Sequence, residues 1–186
     1  LKLAGQFHGH AGTLSVGTLK RGDRVLVSID AARRGATILN HSATHLLHAA
    51  LRETLGHHVK QAGSLVAPDR LRFDFSHYQG LGSSDLTQIQ NRVNEQILRN
   101  ARVETKVMGR EEALGYGALA FFGDKYGEVV RVLQAGPHST ELCGGTHVTA
   151  LGDIGPLKIV TEGSIGSNLR RMEAVTGLNT VDRLRR

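Results

Sequence analysis

Alternation of apolar and polar residues changes period several times along the 186 positions, and each change marks an element. From Gly12 to Asp30 the text "TLSVGTL", a turn at "KRGD" and "RVLVSID", with Val25, Val27 and Ile29 on one face, read as strands. That is too little to close a barrel, so residues 1–32 are expected to be the remnant of a small β-barrel domain. The stretch "TILNHSATHLLHAALRETLG" sets Ile38, Leu46, Leu47, Ala50 and Leu51 at helical spacing and stops at Gly56, which predicts a helix of about twenty residues. Two extended runs follow, "HVKQAGSLVA" and "RLRFDFSHY", joined at "PD", as an antiparallel hairpin. In the second run Leu71, Phe73 and Phe75 face one way and Arg72 and Asp74 the other. A second helix carries Leu86, Ile89, Val93 and Ile97 on one stripe, with Asp85 as its expected N-cap. Beyond it come a strand "VETKVM", a short helix around Glu111 to Leu114, and further strands "EVVRVLQA", "GPLKIVTEG" and "RRMEAVTG". Helices interspersed with mainly antiparallel strands define an α+β class, with residues 33–186 as the main domain.

Composition narrows the class. A hydrophobic fraction of 40% supports a buried core, and 22% charged residues without homopolymer tracts argues against disorder. The formal charge of +6 makes a polyanionic partner plausible, although the basic residues are scattered rather than run together. A single cysteine excludes an internal disulfide and favours a reducing, cytoplasmic home. No apolar run approaches the roughly 20 residues that cross a bilayer. The opening "LKLAGQFHGHAG" has neither an initiator Met nor signal-peptide order and reads as part of a longer chain.

The cysteine is chemically placed. His41 and His45 are four apart on the first helix, so both imidazoles project from one face. Cys143 and His147 repeat that spacing around Gly144 and Gly145, whose flexibility lets a thiolate and an imidazole bend toward one ion. The pairs lie 98 positions apart, counting from His45 to Cys143, yet together they offer the ligand set of tetrahedral zinc. The alternative is a pair of solvent-facing histidines and a small buried thiol. His48 lies near the same helix face, as an outer partner of a ligand or a surface residue; His57, His58, His77 and His138 sit beside turns with no assigned role. The residues between the helical histidines are Ser42, Ala43 and Thr44, so the glutamate of a zinc protease is missing. Thr44 and Glu141 are candidates to position water, unless Thr44 bonds back to its own helix and Glu141 faces solvent. Backbone N–H groups of "CGGT" are candidate oxyanion donors.

The blocks "NHSATHLLHAAL", "KQAGSLV", "RFDFSH", "TELCGGTHV", "GDIG" and "RRMEAVTG", in this order and spacing, resemble the editing region of bacterial alanyl-tRNA synthetases over essentially the whole chain. The resemblance implies hydrolysis of the ester joining a wrong amino acid, serine or glycine, to the 3′ end of tRNA(Ala). It puts one Zn²⁺ on His41, His45, Cys143 and His147, and a substrate-reading amide at Gln61. That amide can bond a seryl hydroxyl, for which an alanyl methyl has no counterpart. Glycine has no hydroxyl either, so its removal requires a steric limit on the alanyl methyl. The need itself is physical: a pocket shaped for alanine admits glycine and rejects one extra hydroxyl only about a hundredfold. The resemblance also implies a parent enzyme in which ATP-dependent aminoacylation and tRNA-binding modules precede the barrel, so that this segment alone does not charge tRNA. Gln61, Gly144, Gly145, Arg170 and Arg171 are then the expected substrate contacts, with Lys60, Arg33 and Arg34 as further phosphate candidates. A free-standing hydrolase of mischarged tRNA, a threonyl-type editing domain and a non-catalytic, zinc-stabilised tRNA-binding module are the alternatives.

Overall fold

The structure is a computed structural model that describes residues 2–3, 7–120 and 127–185, with the backbone alone at 2–3 and 7–8. At the N-terminus Lys2–Leu3 (β1) pairs antiparallel with Phe7–His8 (β2). The expected turn at "KRGD" is present: Asp23 N donates to Lys20 O at 3.1 Å and Lys20 N to Asp23 Oδ2 at 2.7 Å. The flanking segments 13–19 and 24–30 carry no strand ladder, which departs from the alternating pattern. Alternation yields a strand only where a neighbour pairs the backbone and covers the apolar face. Here Leu26 is 97% exposed and Val25, Val27 and Ile29 are also exposed.

The first helix, Ala31–Leu55 (α1), starts six residues before the expected point. Asp30 accepts from Arg33 N at 2.9 Å, so the side chain at 30 caps the helix and "AARRGA" becomes its first turns. It therefore runs through the expected boundary between residues 32 and 33. Gly56, at φ 115°, ends it as read from the sequence. The second helix, Ser83–Arg99 (α2), has Gly82 rather than Asp85 at the N-cap. Asp85 sits at the third helical position and accepts from Gly82 N at 3.0 Å, the acidic half of a capping box.

Gln61–Val66 (β3) and Leu71–Ser76 (β4) form the expected hairpin, which continues through Leu169–Thr176 (β9) to Leu157–Gly166 (β8), giving an antiparallel sheet in the order β3-β4-β9-β8. A second antiparallel sheet joins Val103–Gly109 (β5), Val129–Ala135 (β6) and Ser139–Leu142 (β7). Arg110–Gly115 (α3) packs on it, a 3-10 turn spans Leu151–Ile154, and Gly177–Leu184 (α4) closes the described chain. The α+β expectation is met. No closed barrel occurs among the described residues.

Both long helices lay their apolar stripes on the four-stranded sheet. Leu46, Leu47, Ala50 and Leu51 of α1 and Ile89, Val93 and Ile97 of α2 enclose Phe73, Phe75, Met172 and Ala174. Burying side chains of this size contributes about 1.5–3 kcal/mol each. On the opposite face of β4, Asp74 is also buried, and Arg171 opposite it in the register donates to both carboxylate oxygens at 2.8 Å. The Arg171 hydrogen bonds hold the Asp74 carboxyl below its usual value of 3.8, against the opposing effect of burial and with help from the charges of Arg171 and Arg72. A depressed carboxyl stabilises the fold above the unfolded value and loses that contribution as pH falls through the folded one. Arg171→Leu is therefore expected to lower stability at pH 7 and to converge on the parent protein only well below about pH 4, as pH falls through the lowered Asp74 value. Urea unfolding at both pH values checks this; an equal deficit at each would contradict it.

Candidate metal centre

Side chains from two distant segments meet where α1 passes the end of β7. His41 and His45 come from one face of α1, and Cys143 and His147 from the loop leaving β7; one ligand atom from each lies within 4.8 Å of all the others. Cys143 Sγ stands 3.5 Å from His41 Nε2 and 3.3 Å from His147 Nε2. Zinc bonds of about 2.0–2.1 Å to nitrogen and 2.3 Å to sulfur, in a tetrahedron, put ligand atoms roughly 3.3–3.8 Å apart, so these separations suit the ion.

The surroundings also call for a cation. His45 is buried, and its Nε2 has no hydrogen-bond partner. Its other nitrogen, Nδ1, is held by Glu141 Oε2, while Glu141 Oε1 accepts from His48 Nδ1 at 2.8 Å. Burial pushes the His45 imidazole down, but the charge of Glu141 and the Cys143 sulfur outweigh it and raise its pKa to about 9. Burial likewise pushes the Glu141 carboxyl up, and His45 and His48 bring it down to about 2. The Cys143 thiol, raised by burial, is driven to about 3 by hydrogen bonds from His147 and His41 and by the nearby His45. Burial lowers the pKa of His147. A thiol whose pKa is driven far down, imidazoles beside it and a buried His45 nitrogen without a hydrogen-bond partner make a donor set that a divalent cation would satisfy directly.

The outer partners decide the inner geometry. Glu141 is buried rather than facing solvent, and both of its oxygens are committed to imidazoles, which orients the His45 ring. His48, 1% exposed, anchors the carboxylate and packs on Phe73 at 5.2 Å between ring centroids. Of its two expected roles, outer partner is the one it adopts. Ser42 Oγ accepts from Val148 N at 3.0 Å and lies 3.5 Å from His147 Nδ1, so it ties the loop to α1. Arg131 of β6 went unread in the sequence: its Nη1 donates to Gly145 O and, at 3.4 Å, to Cys143 O, and its own carbonyl accepts from Cys143 N at 3.0 Å. No local pattern marks such a clamp. The Cys143 N–H is thereby removed from the candidate oxyanion donors, leaving Gly144, Gly145 and Thr146.

The other expected site residues have distinct fates. A Cβ at Gly145 would fall 2.1 Å from His41 Cε1, so only glycine lets this loop reach the helix; at Gly144 nothing lies within 4 Å. Thr44 Oγ1 donates to Asn40 O at 2.8 Å, within its own helix. Gln61 begins β3 opposite Phe75, which places it on the helix-facing side of the sheet. Arg170 donates to both oxygens of Glu162 at 2.6 and 2.8 Å, and Arg171 is engaged by Asp74, so each guanidinium already has a carboxylate partner. Lys60, Arg33 and Arg34 are exposed and are not among the residues gathered at the cluster. No described helix is long and apolar enough to cross a membrane.

Residues 130–173, which contain Glu141, Cys143, His147, Arg170 and Arg171, match the family described as the threonyl and alanyl tRNA synthetase second additional domain. Two of the four clustered side chains, Cys143 and His147, thus lie in a segment similar to a domain described for threonyl and alanyl tRNA synthetases. Over 97% of its length the chain is 62% identical to an alanine-tRNA ligase of Stenotrophomonas maltophilia (strain K279a) and 61% identical to that of Xanthomonas oryzae pv. oryzae (strain PXO99A). It is similar to a segment of these alanine-tRNA ligases and spans 20% of their length.

Proposed function

We propose that this chain is the editing part of an alanyl-tRNA synthetase, hydrolysing Ser-tRNA(Ala) and Gly-tRNA(Ala) in the cytoplasm. In this reading residues 33–186 form the editing domain, residues 1–32 end a preceding β-barrel, and the rest of the synthetase supplies further contacts to the tRNA. The observation that carries it is the convergence of His41, His45, Cys143 and His147 within 4.8 Å, in a chain so similar to these ligases.

Those four side chains would hold one Zn²⁺, which when bound supplies positive charge to organise the amino-acid end of the substrate. The chain's own groups do the rest. Glu141 keeps the Nδ1 proton of His45, so that Nε2 faces the cluster. The Gln61 amide exchanges hydrogen bonds with the seryl hydroxyl. The N–H groups of Gly144, Gly145 and Thr146 receive the oxygen that gains charge as water adds to the ester carbon. Thr44, its hydroxyl proton spent on Asn40 O, retains only acceptor capacity toward water.

A closed set of four protein ligands is also what a purely structural zinc site has. Single-turnover assays with the zinc-loaded chain on Ser-, Gly- and Ala-tRNA(Ala) separate the two readings. Hydrolysis of the first two, with Ala-tRNA(Ala) spared, is the expected result. Absence of hydrolysis at saturating protein would leave a binding module and overturn the catalytic reading.

A further inference from the structure

Away from the metal cluster, three rings gather where β3 begins and β4 ends. His58 Nε2 and His77 Nδ1 share a hydrogen bond of 2.8 Å, and the two rings stack with centroids 5.1 Å apart and planes at 24°. The Tyr78 ring lies 4.7 Å from His77 and 5.4 Å from His58. Hydrogen bonds hold the chain at the two imidazoles: Ser76 Oγ donates to His58 O and accepts from Lys60 N, both at 2.9 Å, and His77 N donates to Asn168 O at 3.0 Å. His77 is 3% exposed and forms the base of the cluster. Tyr78 is 68% exposed and His58 is exposed, so two rings offer open faces.

An aromatic cluster of this kind is unusual for a surface. Rings that merely fill a core bury their faces, whereas here a hidden imidazole supports two displayed ones. Of the acidic groups near His77, Glu162 is already bound by Arg170. Lys60 is exposed beside the cluster, in a chain of formal charge +6. Flat π faces beside a cation suit a base in a single-stranded nucleic acid, because stacking accepts any base and lysine meets its phosphate. Position adds to this. Gln61 is three residues beyond His58, and three residues of extended chain span only about 10 Å.

We propose that Tyr78 and His58, propped by His77, form a stacking platform for an unpaired nucleobase in the single-stranded 3′ end of the RNA. The proposal rests on the reading of the chain as a tRNA editing domain and gives that site a nucleotide-binding subsite. It requires no sequence preference, since every base has a π face.

The probe is a short single-stranded RNA ending in CCA, with 2-aminopurine substituted at each of the last three positions in turn. Stacking quenches this base, so fluorescence titration of the intact chain reads contact with a ring. Quenching at one position is expected, with affinity falling about tenfold in Tyr78→Ala and largely retained in Tyr78→Phe, which keeps the ring. His58→Ala is expected to weaken binding as well, and an RNA abasic at the quenched position to bind like the variants. Because Tyr78 is exposed, Tyr78→Ala should unfold at the same temperature as the parent. Equal quenching and affinity in Tyr78→Ala and the parent, or no quenching at any position, would overturn the platform. Ser-tRNA hydrolysis that is present but independent of Tyr78 would also overturn it while leaving the editing reading intact. Quenching that depends on Tyr78 without any hydrolysis would do the reverse.

Discussion

Cys143→Ala is expected to bind zinc roughly 100- to 1,000-fold more weakly than the parent chain, a loss of about a quarter of the 10–16 kcal/mol typical of a four-ligand site. The Sγ atom lies within 3.5 Å of two of the three imidazole nitrogens, so its removal takes away the one thiolate and the centre of the contact set. Methyl in place of thiol leaves three imidazoles and no anionic ligand to offset the metal's charge. Zinc content after dialysis against a chelator measures the loss. Hydrolysis of Ser-tRNA(Ala) should fall in parallel. Cobalt in place of zinc adds a spectroscopic check, since the charge-transfer band of a cobalt-bound thiolate should be present in the parent and absent in the variant. Full metal retention together with full hydrolysis in Cys143→Ala would end the four-ligand account.

The second large effect is expected at Glu141. One carboxylate, 3% exposed, serves two buried imidazoles. In Glu141→Gln the charge disappears and the amide nitrogen can only donate, so one of the two Nδ1–H groups loses its acceptor. Breaking a buried charged pair from one side costs about 3–5 kcal/mol, a large share of the 5–15 kcal/mol that a domain has. If Glu141 also orients His45 as a ligand, zinc affinity should fall about 10- to 100-fold. Chemical denaturation gives the first quantity and chelator competition the second. A variant that loses stability but holds zinc as tightly as the parent would show that the carboxylate supports the core without setting the ligand. Unchanged values for both would refute the buried network.

The corrections in the fold share a cause. Helix stripes and the β3-β4 hairpin were legible because their periods of 3.6 and 2 depend on one buried face. The start of α1 moved to Ala31 because a single capping side chain, Asp30, extended a segment with no apolar stripe to betray it. Segments 13–19 and 24–30 have the alternation of strands without partners to pair them, and local pattern carries no information on partners.

The same division runs through the site. His41 with His45, and Cys143 with His147, were readable because ligand spacing on a helix or a glycine loop is a local property. Gly144 and Gly145 were read alike as flexible, but only at Gly145 would a Cβ meet a neighbour, 2.1 Å from His41, a difference that packing alone decides. The contacts made by Glu141, Ser42 and Arg131 were not readable as they stand, and for His48 the sequence left two roles open. Each depends on a partner from another element, 96 positions away for Glu141 and His45.

The amino-acid sequence by itself determined most of the kinds of element, the faces they bury and the chemistry of the four candidate ligands, since all of these follow from residue type and short-range spacing. Only the tertiary structure decided that the two ligand pairs converge, that Glu141 holds imidazoles instead of facing water, and that Arg170 and Arg171 are paired with carboxylates. Those outcomes are set by which distant surfaces the core brings together, and hydrophobic burial, which drives that packing, is non-directional and leaves no local signature of who meets whom.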